Sequence, residues 1–448
     1  MNRIFHTKIR KALGDSNLQS ALDGNATRRI AARQIAYDSL PENVQIMRQK
    51  ANTIRKNVVE NLDQYLEQFI NHASKNGLII HHADDAQKAV QIVLDIAQNS
   101  GAERIVKSKS MVSEEINLNS ILEKHGIQVV ETDLGEYIVQ LRGEPPAHII
   151  TPAVHLTRKD VGELFSEKLG IPFTDDVSTL TSVARKKLRQ TFLDADIGIT
   201  GVNFGVAENG ALCILTNEGN GRMVTTLPNI HIALMGIERL VPSMQDLALM
   251  IELLPRSATG QKITVYANLI FSPRHSGELD GSQVRHLILL DNGRSHLQTS
   301  ILSEILYCIR CGACINACPI FREIGGHAYV SKNGQHTPYP GPVGSVLSPG
   351  LFGVSDFGQL ARASSLCGAC KEACPVDIDI PKLLLRVRAG GSQIEEQRIP
   401  VNVPSILALG LSVFTWAAVK TRLFNLAQRA AGTLSGFFFP RQRWLKMP

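Results

Sequence analysis

The chain has 448 residues, long enough for about two to four domains. With 44% hydrophobic and 20% charged residues, its composition is that of a globular protein. Forty-seven basic and 41 acidic residues leave a net charge of only +6, and 5% aromatics offer few platforms for bases, which argues against a nucleic-acid partner.

Residues 1–75 read as polar helices. Stretches such as AARQIAYDSL and TIRKNVVENLDQYLEQFINHA place apolar residues at three- and four-residue spacing. They carry no chemical signature and are expected to pack on the next domain. The opening MNRIFHTKIRKALG has no apolar core of a secretory signal, so a reducing cytosol is the expected compartment.

An alternating pattern follows over residues 76–297. GLIIHHA, RIVKSKS and IQVVETD read as strands; DDAQKAVQIVLDIAQNSG and SEEINLNSILEKHG read as helices. Asp84 and Ser113 are the expected N-caps, and Gly101 and Gly126 the expected C-terminal caps. After GEPPAHIITP and the helical LTSVARKKLRQTFLDA, two strands are joined near Asn209–Gly210, a hairpin signal. HIALMGIERL, QKITVYANLIFSP and VRHLILLDNG complete the strands, and SMQDLALMIELL is a helix. This alternation predicts a largely parallel sheet covered on both faces.

Three loops of this domain are candidate site walls. Lys107-Ser108-Lys109-Ser110 ends a predicted strand, where open α/β sheets bind ligands. Asn203 to Gly210 carries Glu208 and Asn209. Asn217 to Arg222 is polar and glycine-rich, and Arg222 could fork onto a carboxylate or phosphate. Cys213, in ALCIL, reads as an inert core residue.

The remaining seven cysteines form two clusters within residues 298–390. CIRCGACINACP holds Cys308, Cys311, Cys314 and Cys318; CGACKEACP holds Cys367, Cys370 and Cys374. The first matches the ferredoxin run C-x2-C-x2-C-x3-C-P, whose fourth cysteine reaches the other cluster. Zinc sites use paired C-x2-C units around one ion, which fits this spacing poorly. Aligning the second run on the first puts Ser364 where its first cysteine belongs. Cross-ligation then assigns Cys308, Cys311, Cys314 and Cys374 to one cluster, and Cys318, Cys367 and Cys370 to the other. The three-cysteine cluster is a [4Fe–4S] cube with an atypical fourth ligand, a [3Fe–4S] cluster, or a cube with a site open to substrate.

Between the cysteine runs, GGHAYVSKNGQHTPYPGPVGSVLSPGL reads as a long loop that wraps a cluster or docks a partner. Its His327 and His336 are candidate ligands or proton carriers, with local hydrogen bonding the commoner role. In VDIDIPKLLLRVRAGG, Pro381 opens a helix and Gly390 closes it. The tail, residues 391–448, is basic: Lys420, Arg422, Arg429, Arg441, Arg443 and Lys446 face no acidic residue after Pro400. Its apolar run SILALGLSVFTWAAV is shorter than the roughly 20 residues of a spanning helix. It suits packing on a protein surface or, as the second choice, lying on a membrane surface at the inner face.

The α/β domain, CIRCGACINACP, YPGPVG and ASSLCGACKEACPVDIDIPKLLLRVR together resemble the lactate utilization protein B family, over about residues 50–390. The resemblance implies an α/β LUD-type domain, similar to the CoA-transferase and sugar-isomerase group, followed by an α-helical ferredoxin-type two-cluster domain. It implies two [4Fe–4S] clusters on the seven cysteines and electron transfer during oxidation of L-lactate to pyruvate. The implied partners are a cysteine-rich A subunit and a LUD-domain C subunit, with the electron acceptor left open. It supplies no catalytic residue in the α/β domain. The alternatives are an iron–sulfur subunit of another 2-hydroxy-acid dehydrogenase, or an enzyme using Glu208 as the glutamate of CoA-transferase chemistry.

Overall fold

Two apolar runs, IHIALMG and VRHLILL, have no polar face to offer water and become the middle of a sheet. The computed structural model describes residues 3–390, 405–426 and 428–429. Its strands are β1 (Ile79–Ala83), β2 (Arg104–Lys107), β3 (Gln128–Glu131), β4 (Ile197–Gly201), β5 (Phe204–Val206), β6 (Leu212–Thr216), β7 (Ile230–Gly236), β8 (Leu240–Val241), β9 (Tyr266–Ile270) and β10 (Val284–Leu290). Six of them form a sheet in the order β1-β10-β7-β4-β2-β3, with every neighbouring pair parallel. Ile232 of β7 sits between Ile199 of β4 and His286 of β10. Helices cover this sheet, as alternation predicts. A second sheet, β8-β5-β6-β9, is antiparallel except for its β5–β8 pair.

The expected hairpin is β5–β6. Gly210 turns it at φ +74°, and a side chain there would approach Ala73 N to 2.4 Å. Gly101 and Gly126 take the left-handed conformation that ends their helices. Two caps differ from expectation. Asp85, not Asp84, accepts from Lys88 N, and Ser110, not Ser113, accepts from Ser113 N. The cap in each case is the residue immediately before the helix, whose short side chain reaches the first free N–H groups; Asp84 stands one residue too early and Ser113 already lies inside Met111–Glu115. Asn117, at φ +50°, splits the expected single helix into Met111–Glu115 and Leu118–Lys124. Helices Leu134–Arg142 and Arg158–Leu169 had no counterpart in the sequence reading.

Four helices precede β1: Arg3–Leu13, Ser16–Asp38, Val44–Glu60 and Leu62–Lys75. They pack as expected, but on more than one neighbour. Arg55 of the third is fully buried and donates to the carbonyls of Glu238 and Leu240 beyond β7, and to those of Leu306 and Tyr307 before the first cysteine.

The glycine–proline stretch between the cysteine runs is not all loop. Gly341–Phe352 is a helix, buried from Gly341 to Gly350. A helix buried on all sides shows no amphipathic period, and its two prolines disguise it further. Its small residues permit close approach: a Cβ on Gly344 would stand 1.4 Å from the Tyr339 carbonyl oxygen.

Contacts divide the chain into Met1–Ile399 and Pro400–Pro448. The second unit contributes helix Ser405–Ala418, with exposed Leu409, Phe414 and Trp416, and Lys420 Nζ 4.5 Å from the Trp416 ring centroid. Arg441, Arg443 and Lys446 lie outside the described residues. Among the described residues no helix is long and apolar enough to cross a membrane.

Gly344→Ala forces its methyl into backbone and should lower stability by about 3 kcal/mol or more. Gly24→Ala, in an open helix position with only Arg28 Nη1 at 3.5 Å, should be neutral or stabilising. Paired chemical denaturation curves check the contrast.

Candidate functional site

The two cysteine runs fold as a structural repeat. In the first, Arg310 takes φ +59° and Gly312 φ +72°, and helix Ala313–Asn316 carries Cys314. In the second, Leu366 takes φ +55° and Gly368 φ +88°, and helix Ala369–Glu372 carries Cys370. Cys311 thus matches Cys367, Cys314 matches Cys370, and Cys318 matches Cys374. The remaining match pairs Cys308 with Ser364. Arg310 N donates to Cys308 Sγ at 3.3 Å, and Leu366 N donates to Ser364 Oγ at 3.2 Å. The serine hydroxyl therefore occupies the station that the first half gives to a sulfur. Backbone N–H groups also reach Cys318 Sγ from Phe321 at 3.5 Å and Cys374 Sγ from Ile378 at 3.4 Å.

The fold sets the thiols in two neighbourhoods that meet at Cys314, which has Cys308, Cys311 and Cys374 beside it and Cys370 next. Burial pushes the Cys311 thiol up, with Cys308 and Cys374 beside it adding to the rise. Burial pushes Cys374 up to about 12, and Cys308 adds to that. Cys370 is likewise raised to about 12 by burial, with Cys318 and then Cys367 as its cysteine neighbours. Cys367 is exposed, and the Ala369 N–H helps pull its thiol below the ordinary range. Cys213 lies apart in the β6 core, as expected, where burial raises it to about 12.

One observation tests the fit to iron–sulfur clusters. Tyr329 is 0% exposed, and its hydroxyl has no hydrogen-bond partner. Its charged neighbours are the Cys318 and Cys314 thiols, one from each neighbourhood. A buried unpaired hydroxyl is costly, and a cluster sulfur is the acceptor this position lacks.

The amino-terminal helices hold the second run. Arg33 donates to the Ala373 carbonyl at 2.9 Å, Asn52 to Val376 at 2.7 Å, and Arg48 to Cys374 at 2.7 Å and Lys371 at 2.9 Å.

A cavity of about 540 Å³ opens at the carboxyl ends of the parallel strands. The three loops singled out in the sequence converge there through Ser108, Lys109 and Ser110, Asn203, and Asn217, Glu218 and Asn220. Three of their charged residues, and Asn209, stay outside its lining. Lys107 is buried against Glu131 at 2.7 Å and Glu114 at 3.0 Å. Glu208 is exposed and accepts from Met244 N at 2.7 Å, beside Ser243, the N-cap of helix Met244–Ala258. Arg222 is exposed on helix Asn220–Thr226.

Sequence reading missed the cavity's charged wall. Arg294 pairs with Glu115 at 2.7 Å and with Glu238 at 2.6 Å, and Glu238 also meets Arg310 at 3.3 Å. Tyr339, of the YPGP segment, donates its hydroxyl to Glu115 and lies 4.8 Å under the Arg310 guanidinium. Arg239 donates to the carbonyls of Cys308 and Asn203. Arg310 stands between Cys308 and Cys311, so the cysteine loop is itself a wall of the cavity.

The loop histidines meet in a second cluster. One donor atom each from Glu144, His155 and His327 lie within 4.8 Å of one another, and the His327 and His336 rings are 5.7 Å apart. His155 Nε2 pairs with Glu144 at 2.7 Å, and His327 Nε2 with the Pro145 carbonyl at 2.8 Å, a partner distant in sequence rather than the local one expected.

A LUD domain matches residues 66–290, and a 4Fe-4S dicluster domain matches residues 304–378. Lactate utilization protein B of Bacillus thuringiensis (strain Al Hakam) is 42% identical over 427 residues, covering 95% of this chain and 88% of that relative. The chain belongs to the lactate utilization protein B family. The proteins of that name in Bacillus cytotoxicus and Bacillus anthracis (strain CDC 684 / NRRL 3495) match with the same identity and coverage. A crystal structure of a DUF162 family protein from Deinococcus radiodurans aligns over 51% of this chain and 98% of that one, at 12% identity and a TM-score of 0.29. The chain is thus a LUD domain with a parallel α/β sheet followed by a ferredoxin-type dicluster domain, and its cysteine block is an iron–sulfur site.

At the cavity wall Glu218 keeps part of its surface exposed, yet desolvation pushes its carboxyl up to about 7, and the Asp133 carboxylate adds to the rise. The folded chain then holds a proton that the unfolded chain has released between pH 4.5 and about 7. Stability should fall as pH rises through that window. Glu218→Gln should flatten this slope, which melting curves across the window will show.

Proposed function

We propose that the chain is the iron–sulfur electron-transfer subunit of an L-lactate-oxidising complex, with two [4Fe–4S] clusters in its cysteine block. Family membership and the dicluster domain support an iron–sulfur role in lactate utilization. The observation that supports the finer reading is that the folded repeat brings Cys374 beside Cys308 and Cys311, and Cys318 beside Cys367 and Cys370, with Cys314 bordering both groups. Cys308, Cys311, Cys314 and Cys374 hold one cluster, and Cys318, Cys367 and Cys370 hold the other. Ser364 Oγ, the counterpart of Cys308 Sγ, takes the fourth corner of the second.

When bound, the clusters supply one-electron carriers. Oxidation of L-lactate to pyruvate breaks the O–H and C2–H bonds and makes C2=O, releasing two protons and two electrons. Two one-electron sites match that count.

The protein's own groups prepare these sites. The N–H donors to Cys318 and Cys374 favour thiolate against the burial that raises both. Arg55, Arg239 and Arg310 lie beside Cys308 and offset the negative charge that ligation gathers there. Exposed Cys367 marks the edge open to exchange with a partner, in this reading the cysteine-rich A subunit or the LUD-domain C subunit. Lys420, Arg422 and Arg429 of the tail, with exposed Phe414 and Trp416, suit contact with an anionic membrane surface.

Anaerobically purified protein should contain about eight irons and eight sulfides, and show two reducible cluster signals by low-temperature EPR. With the A and C partners present, L-lactate should reduce both. About four irons, zinc in their place, or clusters that stay oxidised with L-lactate would sink the reading.

The serine assignment has its own test. Ser364→Ala should convert the second cluster to a three-iron form with the first signal intact, and Ser364→Cys should retain four irons there. A second cluster unchanged in Ser364→Ala would assign its fourth corner elsewhere.

A further inference from the structure

The cavity and the first cysteine loop share Arg310, and that residue has capacity to spare. Its side chain is about nine-tenths buried, with 10% relative exposure. Nη2 meets Glu238, and the guanidinium face lies over Tyr339. Nη1 is buried and has no hydrogen-bond partner. The backbone holds Arg310 at φ +59°, a conformation costly for a side chain with a Cβ. The matching position of the second run, Leu366, shows that the repeat imposes this turn. The cavity wall, not the turn, accounts for an arginine there.

The surroundings favour an anion. Arg55, Arg239, Arg294 and Arg310 are buried together, and their carboxylate partners are Glu115 and Glu238. Four guanidiniums therefore stand against two carboxylates. Arg55 and Arg239 spend their hydrogen bonds on backbone carbonyls. Cluster thiolates offset part of this excess on the Cys308 side; on the cavity side the lining carboxyls are Glu238, Asp133 and Glu218, and of these Glu238 is the one paired with the arginines. Lys109 also lines the cavity, its Nζ buried without a hydrogen-bond partner and 4.0 Å from Glu136.

The location is where a ligand belongs. The lining comes from the carboxyl ends of β2, β4 and β7, the crevice in which open parallel sheets bind small molecules. At about 540 Å³ the cavity is in the range of small-molecule sites. Glu218, with its raised carboxyl, lines the same space and can take up or release a proton near neutral pH.

We propose that this cavity binds a small 2-hydroxy- or 2-oxo-carboxylate, anchored by Arg310 Nη1, so that the cysteine loop senses its occupancy directly. The choice of acid rests on the L-lactate reading above; the carboxylate anchor rests on the geometry. Arg310 links the two sites through one backbone: its side chain holds the acid while its N–H donates to Cys308 Sγ. A bound carboxylate would neutralise charge beside the Cys308 cluster and shift the signal of that cluster.

The test uses the full chain carrying its clusters. Calorimetric titration with L-lactate, pyruvate and the neutral lactamide is paired with EPR of the reduced protein. At least one of the two acids should bind and perturb one cluster signal, while lactamide does neither. Arg310→Met should weaken acid binding roughly 10- to 100-fold and remove the EPR perturbation, with Arg310→Lys intermediate. Iron content reports whether each variant is intact. If Arg310→Met loses its clusters, the wild-type perturbation by acid but not lactamide decides. No heat and no spectral change with either acid would overturn the site, as would an intact Arg310→Met that binds like wild type. Neither result touches the relay reading, which stands or falls on reduction by L-lactate in the complex.

Discussion

One buried guanidinium ties the molecule together. Arg55, from an amino-terminal helix, donates to carbonyls beyond β7 and to carbonyls just before Cys308. It thereby pins three parts of the chain that are far apart in sequence. Burial pulls its pKa down to about 9, with Arg239 nearby adding to the fall. Arg239 is itself lowered to about 10, again chiefly by burial. Removing such charges from water costs several kcal/mol per ion. The protein tolerates them because the carbonyls solvate them and because the neighbouring cysteines carry negative charge once metal is bound. The fold and the iron–sulfur site therefore depend on one electrostatic bargain.

That bargain explains why the LUD sheet and the cysteine block are not independent beads. The sheet ends its parallel strands at a cavity, and the cavity's far wall is the loop that carries Cys308 and Cys311. Tyr339 and the buried helix after it back that wall from behind. Glu238 lies one residue from Arg239 and shares its carboxylate between Arg294 and Arg310. Each group satisfies a neighbour from a different segment, so a substitution in one part is felt in the others.

How much of this was legible in the sequence depends on range. The iron–sulfur character of the cysteine block was, because cluster spacing is local and chemically narrow. So was the place of Ser364, found by counting, and the hydrogen bonds to Ser364 Oγ and Cys308 Sγ show the same register in space. The sheet was legible because buried parallel strands are apolar runs. Helix Gly341–Phe352 was hidden, since glycine and proline dominate it and no polar face gives it a period. Glu208 drew attention through its hairpin, yet its carboxylate serves a helix end. Arg310 was invisible as a functional residue. It occupies an unconstrained position of C-x2-C, and only the folded turn places it in the cavity wall.

The clamp on the second cysteine run bears on what completes the cysteine site. Cys374 belongs to the later run but neighbours the thiols of the earlier one. Arg33, Arg48 and Asn52 lock the backbone around it. Cys311, Cys314 and Cys374 are all buried, while Cys367 alone of the seven is exposed. The inner thiols thus lie behind a wall that the amino-terminal helices help to build, and the cysteine site is complete only with the segment that the chain lays down first.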